Sequence, residues 1–354
     1  MQVFFSSPFL RRIHEPNRPT DMSGLVGGME GVAVTSSTSL DNLVNWIRNN
    51  SGDKLRKNWD LLDVERVPND TGDHIMVSKT VLKKGFKLAL PKPCILTQDI
   101  VLNSDAGSVF KGLDIYTLFS MFLIWQGRVK DSFWKPYLDV LPRDMDFHPI
   151  TFLDRIEREK DEELKTALSQ YSLLNRALGA QQEKLKKEWK RVKQLITLQK
   201  RMQEKGKGAR LLPELIGQDA EHLTYEEFRW ANSMVISRAF NMLDPRLMCM
   251  LPFVDSMNHT TSKPSIKWKN KLIRGAFVMS TFDSVAAAQE LTASYHEKPQ
   301  GSAQGITMAN LRCYLMYGFV DDQIPKVPCA WKLEFEAVRE LVNERESGKH
   351  APKE

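Results

Sequence analysis

The chain has 354 residues, 42% of them hydrophobic and 9% aromatic, with 50 Lys and Arg against 44 Asp and Glu for a formal charge of +6. That length holds one large domain or two ordinary ones around a real core. The longest dense apolar stretch, 115–125, falls short of the roughly 18 residues that cross a bilayer, which excludes a helical membrane protein. So modest a positive charge permits an acidic or nucleic-acid partner without requiring one.

Residues 1–38 read as a disordered tail, Gly-rich from Gly24 to Gly31 and then rich in Ser and Thr. The first twenty residues hold three arginines and one acid, a composition faintly like a transit peptide, with ordinary tail as the alternative. This leaves both the cytoplasm and an intracellular organelle open. Leu40, Leu43, Val44 and Ile47 recur at helical spacing and predict a short helix capped by Ser39 or Asp41. From 64 to 97 the runs 75–77, 81–82 and 88–90 read as short strands, with turns at Gly72 and Gly85. Residues 113–125 are apolar nearly all round and predict a buried helix.

The stretch 132–142 reads as a loop whose Phe133, Trp134 and Tyr137 either lock an insert onto the core or touch a substrate. Residues 152–215 are helical in pattern. Basic residues dominate from 183 to 207, beside a thin apolar stripe of Trp189, Val192, Leu195 and Ile196. A solvated basic face explains this pattern, and a surface for an acidic partner is the rival. Thr224 followed by Glu227 has the form of a capping box and starts a helix running to about Phe240. Phe228, Ala231, Val235 and Ala239 then share one face.

Leu251-Pro252-Phe253-Val254-Asp255-Ser256-Met257-Asn258-His259 starts apolar and ends polar. A buried run does not close on Asp, Asn and His unless something satisfies them, so its end faces a ligand or a hydrogen-bond network, or is simply a turn. Residues 266–268, 276–279 and 290–295 are strand-like, and 297–308 form a polar loop. The four cysteines, Cys94, Cys249, Cys313 and Cys329, have neither zinc-ligand spacing nor a disulfide pattern, so the sequence offers no metal site.

Five blocks in register carry a resemblance: 132–142, 230–240, 251–259, Glu290-Leu291-Thr292-Ala293-Ser294-Tyr295, and Tyr317-Gly318-Phe319-Val320. Together they resemble the SET-domain protein methyltransferases, in the branch of the Rubisco large-subunit lysine methyltransferase and the actin histidine methyltransferase. The resemblance covers roughly residues 40 to 322. It implies an α+β SET fold, with small curved β-sheets around a pseudoknot. The domain then spans 39–322 with a helical insert at about 113–235. Residues 323–354 become a linker and the start of a C-terminal helical region, most of which the sequence does not contain.

The resemblance also implies an enzyme that moves a methyl group from S-adenosylmethionine to a lysine of a non-histone protein. It implies a monomer, without a metal, a membrane or nucleic acid as partner. Many histone-directed relatives carry Cys-rich zinc clusters, which this sequence lacks. Tyr295 takes the catalytic position, and Arg238 and Asp255 frame the substrate pocket. The cofactor falls to Thr71, Gly72, Asp73, Arg238, Asp255, Ser256, Met257, Asn258, His259, Tyr317, Gly318 and Phe319. Arg238 and Asp255 can instead form one structural ion pair.

Three departures bear on this reading. His74 and His296 stand where the family usually has Gly, and the 297–308 loop is longer than usual. A catalytically inactive SET scaffold, or a binding module built on the basic helix, is therefore the alternative. Histidine methylation is a second, disfavoured because Ala239 and Val254 stand where the histidine branch keeps Asn and Trp.

Overall fold

The computed structural model describes residues 37–68, 74–143, 148–150, 162, 166, 172–205, 212, 215, 223–241, 248–260, 263–273, 276–295 and 313–317. Helix α1 (Ser37–Asn49) begins upstream of the expected start, so Ser39 and Asp41 lie inside it and do not cap it. Its Leu40, Leu43, Val44 and Ile47 are buried, as the spacing demands. Helix α2 (Asp53–Asp60) buries Trp59 completely, and the indole N–H donates to the Ala89 carbonyl at 2.9 Å. A buried indole keeps such a partner because an orphaned N–H is costly.

Strands β1 (Val64–Pro68) and β2 (His74–Ser78) form an antiparallel pair. Gly85 takes φ +74, which favours glycine, and so makes the turn before β3 (Lys87–Pro91). The run 81–82 is not a strand: Leu82 makes a single bridge to Val285, and Val81 faces solvent. Strand β4 (Leu96–Thr97) leads into the short helices α3 (Gln98–Leu102) and α4 (Asp105–Val109). Helix α5 (Ile115–Arg128) starts at its cap, Asp114, whose carboxylate accepts from the Tyr116 and Thr117 amides, and it is buried from Thr117 to Ile124.

Helix α6 (Lys135–Leu138) carries the aromatic block. Phe133 and Trp134 pack against Trp46 of α1, with ring centres 5.1 and 5.7 Å away, so these two lock elements together. Helix α7 (Ser172–Glu204) is the basic helix, and its stripe is real: Val192 is fully buried and Trp189 stacks on Phe228. Helix α8 (Tyr225–Arg238) has the reciprocal capping box of Thr224 and Glu227. The Glu227 carboxylate also accepts both bonds of Arg128 Nη2, at 2.7 and 2.8 Å, which ties α8 to the end of α5.

Helix α8 stops at Arg238, short of Phe240. Ala239 turns extended and opens β5 (Ala239–Asn241), where its partner is Met250 of β6 (Met248–Met250). A ladder partner for the backbone replaces the next helical turn. After β6 come a 3-10 turn at Val254–Ser256, β7 (Asn258–His259), β8 (Ile266–Ile273), β9 (Ala276–Thr281) and β10 (Thr292–Ala293). The sheets run β3–β9–β8 and β4–β6–β5, beside the pair β1–β2 and the parallel pair β7–β10. This is an α+β arrangement of small sheets joined by one core, in which Leu251, Phe253 and Val254 are fully buried.

Candidate functional site

The parallel pairing of β7 and β10 builds the site. Its register sets Thr292 beside Asn258 and Ala293 beside His259, so the chain leaving β10 crosses the end of the 251–259 run. Tyr295 lands there. Its hydroxyl donates to the Met257 carbonyl at 2.5 Å, and its backbone N–H donates to His259 Nδ1 at 3.0 Å. Its ring lies 5.1 Å from that of His259 and 4.9 Å from that of Tyr317. Burial raises the Tyr295 phenol well above its ordinary pKa, against the opposing pull of Arg238.

Phe253 takes φ +76 at full burial, and the 3-10 turn after it tucks Asp255 inward to 6% exposure. Arg238, at the last position of α8, donates through Nη1 to the backbone carbonyl of Asp255 at 2.5 Å. The expected ion pair is thus a contact to the carbonyl, and the carboxylate has another partner. Tyr137 of α6 donates its hydroxyl to Asp255 Oδ2 at 2.5 Å. Asp255 Oδ1, Arg238 Nε and Ser256 Oγ are buried without a partner among the described residues. Each such group costs about 1–3 kcal/mol when left unsatisfied.

Burial pushes the Asp255 carboxyl up to about 6, against Arg238, the Tyr137 bond and Arg66, which all favour its charge. Arg66 on β1 is itself brought down to about 10, by burial and by repulsion from Arg238. Both guanidinium groups thus lie close enough to favour the charged carboxylate, while Arg66 donates to the Val140 carbonyl at 3.2 Å. Asn258 is exposed, and its Nδ2 donates to Glu290 Oε1 at 2.8 Å, which fixes the amide. Burial raises Glu290 above its ordinary range, and the Asn258 bond opposes the shift.

The structure thus brings together Arg238, Asp255, Ser256, Met257, Asn258, His259, Tyr295 and Tyr317. Thr71, Gly72, Asp73, Gly318, Phe319, His296 and the 297–308 loop lie outside the described residues. His74 is exposed where β2 begins, paired with Pro68. The sequence reading missed Tyr137, Arg66 and Glu290 as members of this corner. Tyr137 stands 118 residues from Asp255, and no local pattern signals such a pairing.

A second buried group anchors the far wall. His148 accepts the Ile150 N–H at Nδ1, 3.2 Å, so Nε2 carries the proton and bonds the Met316 carbonyl at 2.8 Å. Gln181 Nε2 donates to the neighbouring Leu315 carbonyl at 3.0 Å. These two bonds hold the backbone of the helical segment 313–317 beside Tyr317. Burial holds the His148 imidazole down at about 4.

No family model matches the chain. The chloroplastic ribulose-1,5 bisphosphate carboxylase/oxygenase large subunit N-methyltransferase of Nicotiana tabacum is 28% identical over 194 residues, 54% of this chain and 34% of that protein. The chloroplastic [fructose-bisphosphate aldolase]-lysine N-methyltransferase of Arabidopsis thaliana is 24% identical over 265 residues, 72% of this chain and 47% of that protein. The chain thus spans a third to a half of the length of these curated relatives. A crystal structure of the SET domain of LSMT bound to lysine and AdoHcy superimposes with a TM-score of 0.57 at 21% identity, covering 81% of this chain and 58% of that one. The α+β arrangement described above is the SET fold.

Proposed function

We propose that the chain is a SET-domain protein methyltransferase that moves a methyl group from S-adenosylmethionine to a lysine of a non-histone protein, a reading supported by its SET fold and its similarity to the two lysine methyltransferases. The observation that carries this reading is the set of orphaned groups in one corner. Arg238 Nε offers a donor, Asp255 Oδ1 an acceptor and Ser256 Oγ a hydroxyl, and the Asn258 amide, held by Glu290, follows two residues on. An amino-acid end needs this complement, a donor for its carboxylate and acceptors for its ammonium. Arg238 would hold the cofactor's carboxylate, and Asp255 and Asn258 its ammonium. Thr71, Gly72, Asp73, Met257, His259, Gly318 and Phe319 complete the proposed cofactor contacts.

When bound, the cofactor supplies a sulfonium methyl for in-line displacement. The chain's own residues prepare the amine. A free lysine is neutral in only about one molecule in two thousand at pH 7, and a buried site beside positive charge favours the neutral form. Tyr295 is held protonated by burial, so it is not the base. Its hydroxyl proton is committed to the Met257 carbonyl. The remaining lone pairs can therefore only accept, and accepting an N–H of the amine aims the nitrogen lone pair at the methyl. The rings of Tyr317 and Tyr295 present faces that tolerate positive charge as it passes to nitrogen.

The proposed domain is 39–322 with its helical insert, acting as a monomer. The chloroplastic relatives favour an organelle over the cytoplasm as its place. No helix among the described residues is long and apolar enough to cross a membrane. Calorimetric titration with S-adenosylmethionine tests the reading. Binding that weakens roughly tenfold or more in Asn258→Ala supports it. A folded chain that binds no cofactor would move the inactive scaffold to the front.

A further inference from the structure

A cavity of about 280 Å³ lies between α5, α7 and α8, and neither Tyr295 nor Asp255 is in its wall. Leu185 and Ile236 give it an apolar side, and Glu188, Gln181 and Lys184 a polar one. Glu188 is only 7% exposed. Its Oε1 accepts from Arg191 Nη1 at 2.7 Å, and Arg191 is fixed in turn through Nη2 on the Gly112 carbonyl at 2.7 Å. The other carboxylate oxygen, Oε2, is buried with no partner among the described residues. Gln181 has its NH2 on the Leu315 carbonyl, and its Oε1 is likewise buried with no partner. The two residues stand at i and i+7 of α7 and so share one helix face.

The existing groups do not answer them. The Asp114 oxygens are taken by the first amides of α5 and by the Thr117 hydroxyl. Lys184, the one cation in the wall among the described residues, sits over the Tyr116 ring at 5.8 Å. A buried carboxylate oxygen and a buried amide oxygen in the wall of one cavity each call for a donor, and neither can serve an acceptor. An ammonium or a guanidinium brings several donors, no acceptor and a charge that suits Glu188, and a short alkyl stem would lie on Leu185 and Ile236.

We propose that this cavity binds the ammonium or guanidinium end of a ligand: a small alkylguanidine or alkylamine, or an arginine or lysine side chain of a protein partner. The inference does not rest on methyl transfer, and its test runs on the full-length Tyr295→Phe chain without cofactor. The probes are n-butylguanidinium, the capped peptide Ac-Ala-Arg-Ala-NH2, and n-pentanol as a neutral match for the stem, titrated calorimetrically. Binding of a cationic probe should weaken roughly tenfold or more in Glu188→Gln, and n-pentanol should bind weaker by a similar factor. Leu185→Phe, which fills the space, should abolish binding while the melting temperature holds. Comparable affinity for both cations identifies a small-molecule site, and affinity for the peptide alone identifies a protein side chain. No binding of either cation at millimolar concentration overturns the proposal. So does binding that is equal in the parent, Glu188→Gln and Leu185→Phe.

Discussion

His148 and Asp255 are both removed from water, and the protein treats them in opposite ways. His148 is fully satisfied: one ring nitrogen accepts, the other donates, and the imidazole stays neutral. Asp255 keeps one oxygen on Tyr137 and the other unpartnered, beside an unpartnered nitrogen of Arg238. A completed network stabilises a wall, here the segment that carries Tyr317. An incomplete one leaves a cost of about 1–3 kcal/mol per group for a ligand to remove. His148 holds the residue before Tyr317, whose ring lies 4.9 Å from that of Tyr295, while Asp255 stands in the run that Tyr295 bonds.

The sharpest way to break this contrast is at Tyr295. Tyr295→Phe should lower kcat about 100- to 1000-fold, the scale expected when one positioned polar group is lost from a transition state. Cofactor affinity should move little. Unchanged turnover in single-turnover assays would remove Tyr295 from the chemistry and leave the corner a binding site.

The next largest effect is on acid stability at His148. Its folded pKa of about 4 lies below the ordinary 6.5, so the unfolded chain takes up protons first as pH falls. The stability is present above 6.5 and is lost down to about 4, about 3.5 kcal/mol in all. His148→Gln should abolish that loss. Asp255 works the other way, with a folded pKa of about 6 above the ordinary 3.8. Its stability is present below 3.8 and is lost as pH rises through about 6, about 3 kcal/mol. Asp255→Asn should therefore gain about 3 kcal/mol relative to the parent between pH 4 and pH 7, with cofactor affinity reduced. The two slopes nearly cancel in the parent. Urea titrations across this range should show a fall with rising pH in His148→Gln and a fall with falling pH in Asp255→Asn. Parallel profiles would mean that the two groups are not opposed.

Much of this was legible before the fold was known, and the reason is locality. The capping box at Thr224 and Glu227, the turn at Gly85 and the apolar run ending in Asp255, Asn258 and His259 each announce themselves within a few residues. Where locality failed, a competing long-range partner won. Helix α8 stops early because Met250 offers Ala239 a ladder, and the 81–82 run lacks a second strand beyond one bridge. Arg66, Glu290 and His148 gain their roles from partners that no spacing connects to them. Tyr137 was read only as part of an aromatic block, yet its neighbours Phe133 and Trp134 do the locking and its hydroxyl serves Asp255.

Tyr137→Phe tests that last distinction with the smallest expected effect. Removing the hydroxyl leaves Asp255 Oδ2 as bare as Oδ1, and the carboxylate loses a bond that now favours its charge. A charge-assisted bond contributes about 1.5 kcal/mol, close to one pKa unit, so Asp255 should titrate near 7 rather than 6. Cofactor affinity should then fall about fivefold at pH 6 and hardly at all at pH 8, where the carboxylate is charged again. A residue that only packs would lower the melting temperature and leave the pH profile of binding where it was. A shifted profile makes Tyr137 the group that keeps the waiting corner charged, while an unshifted one returns it to the aromatic lock.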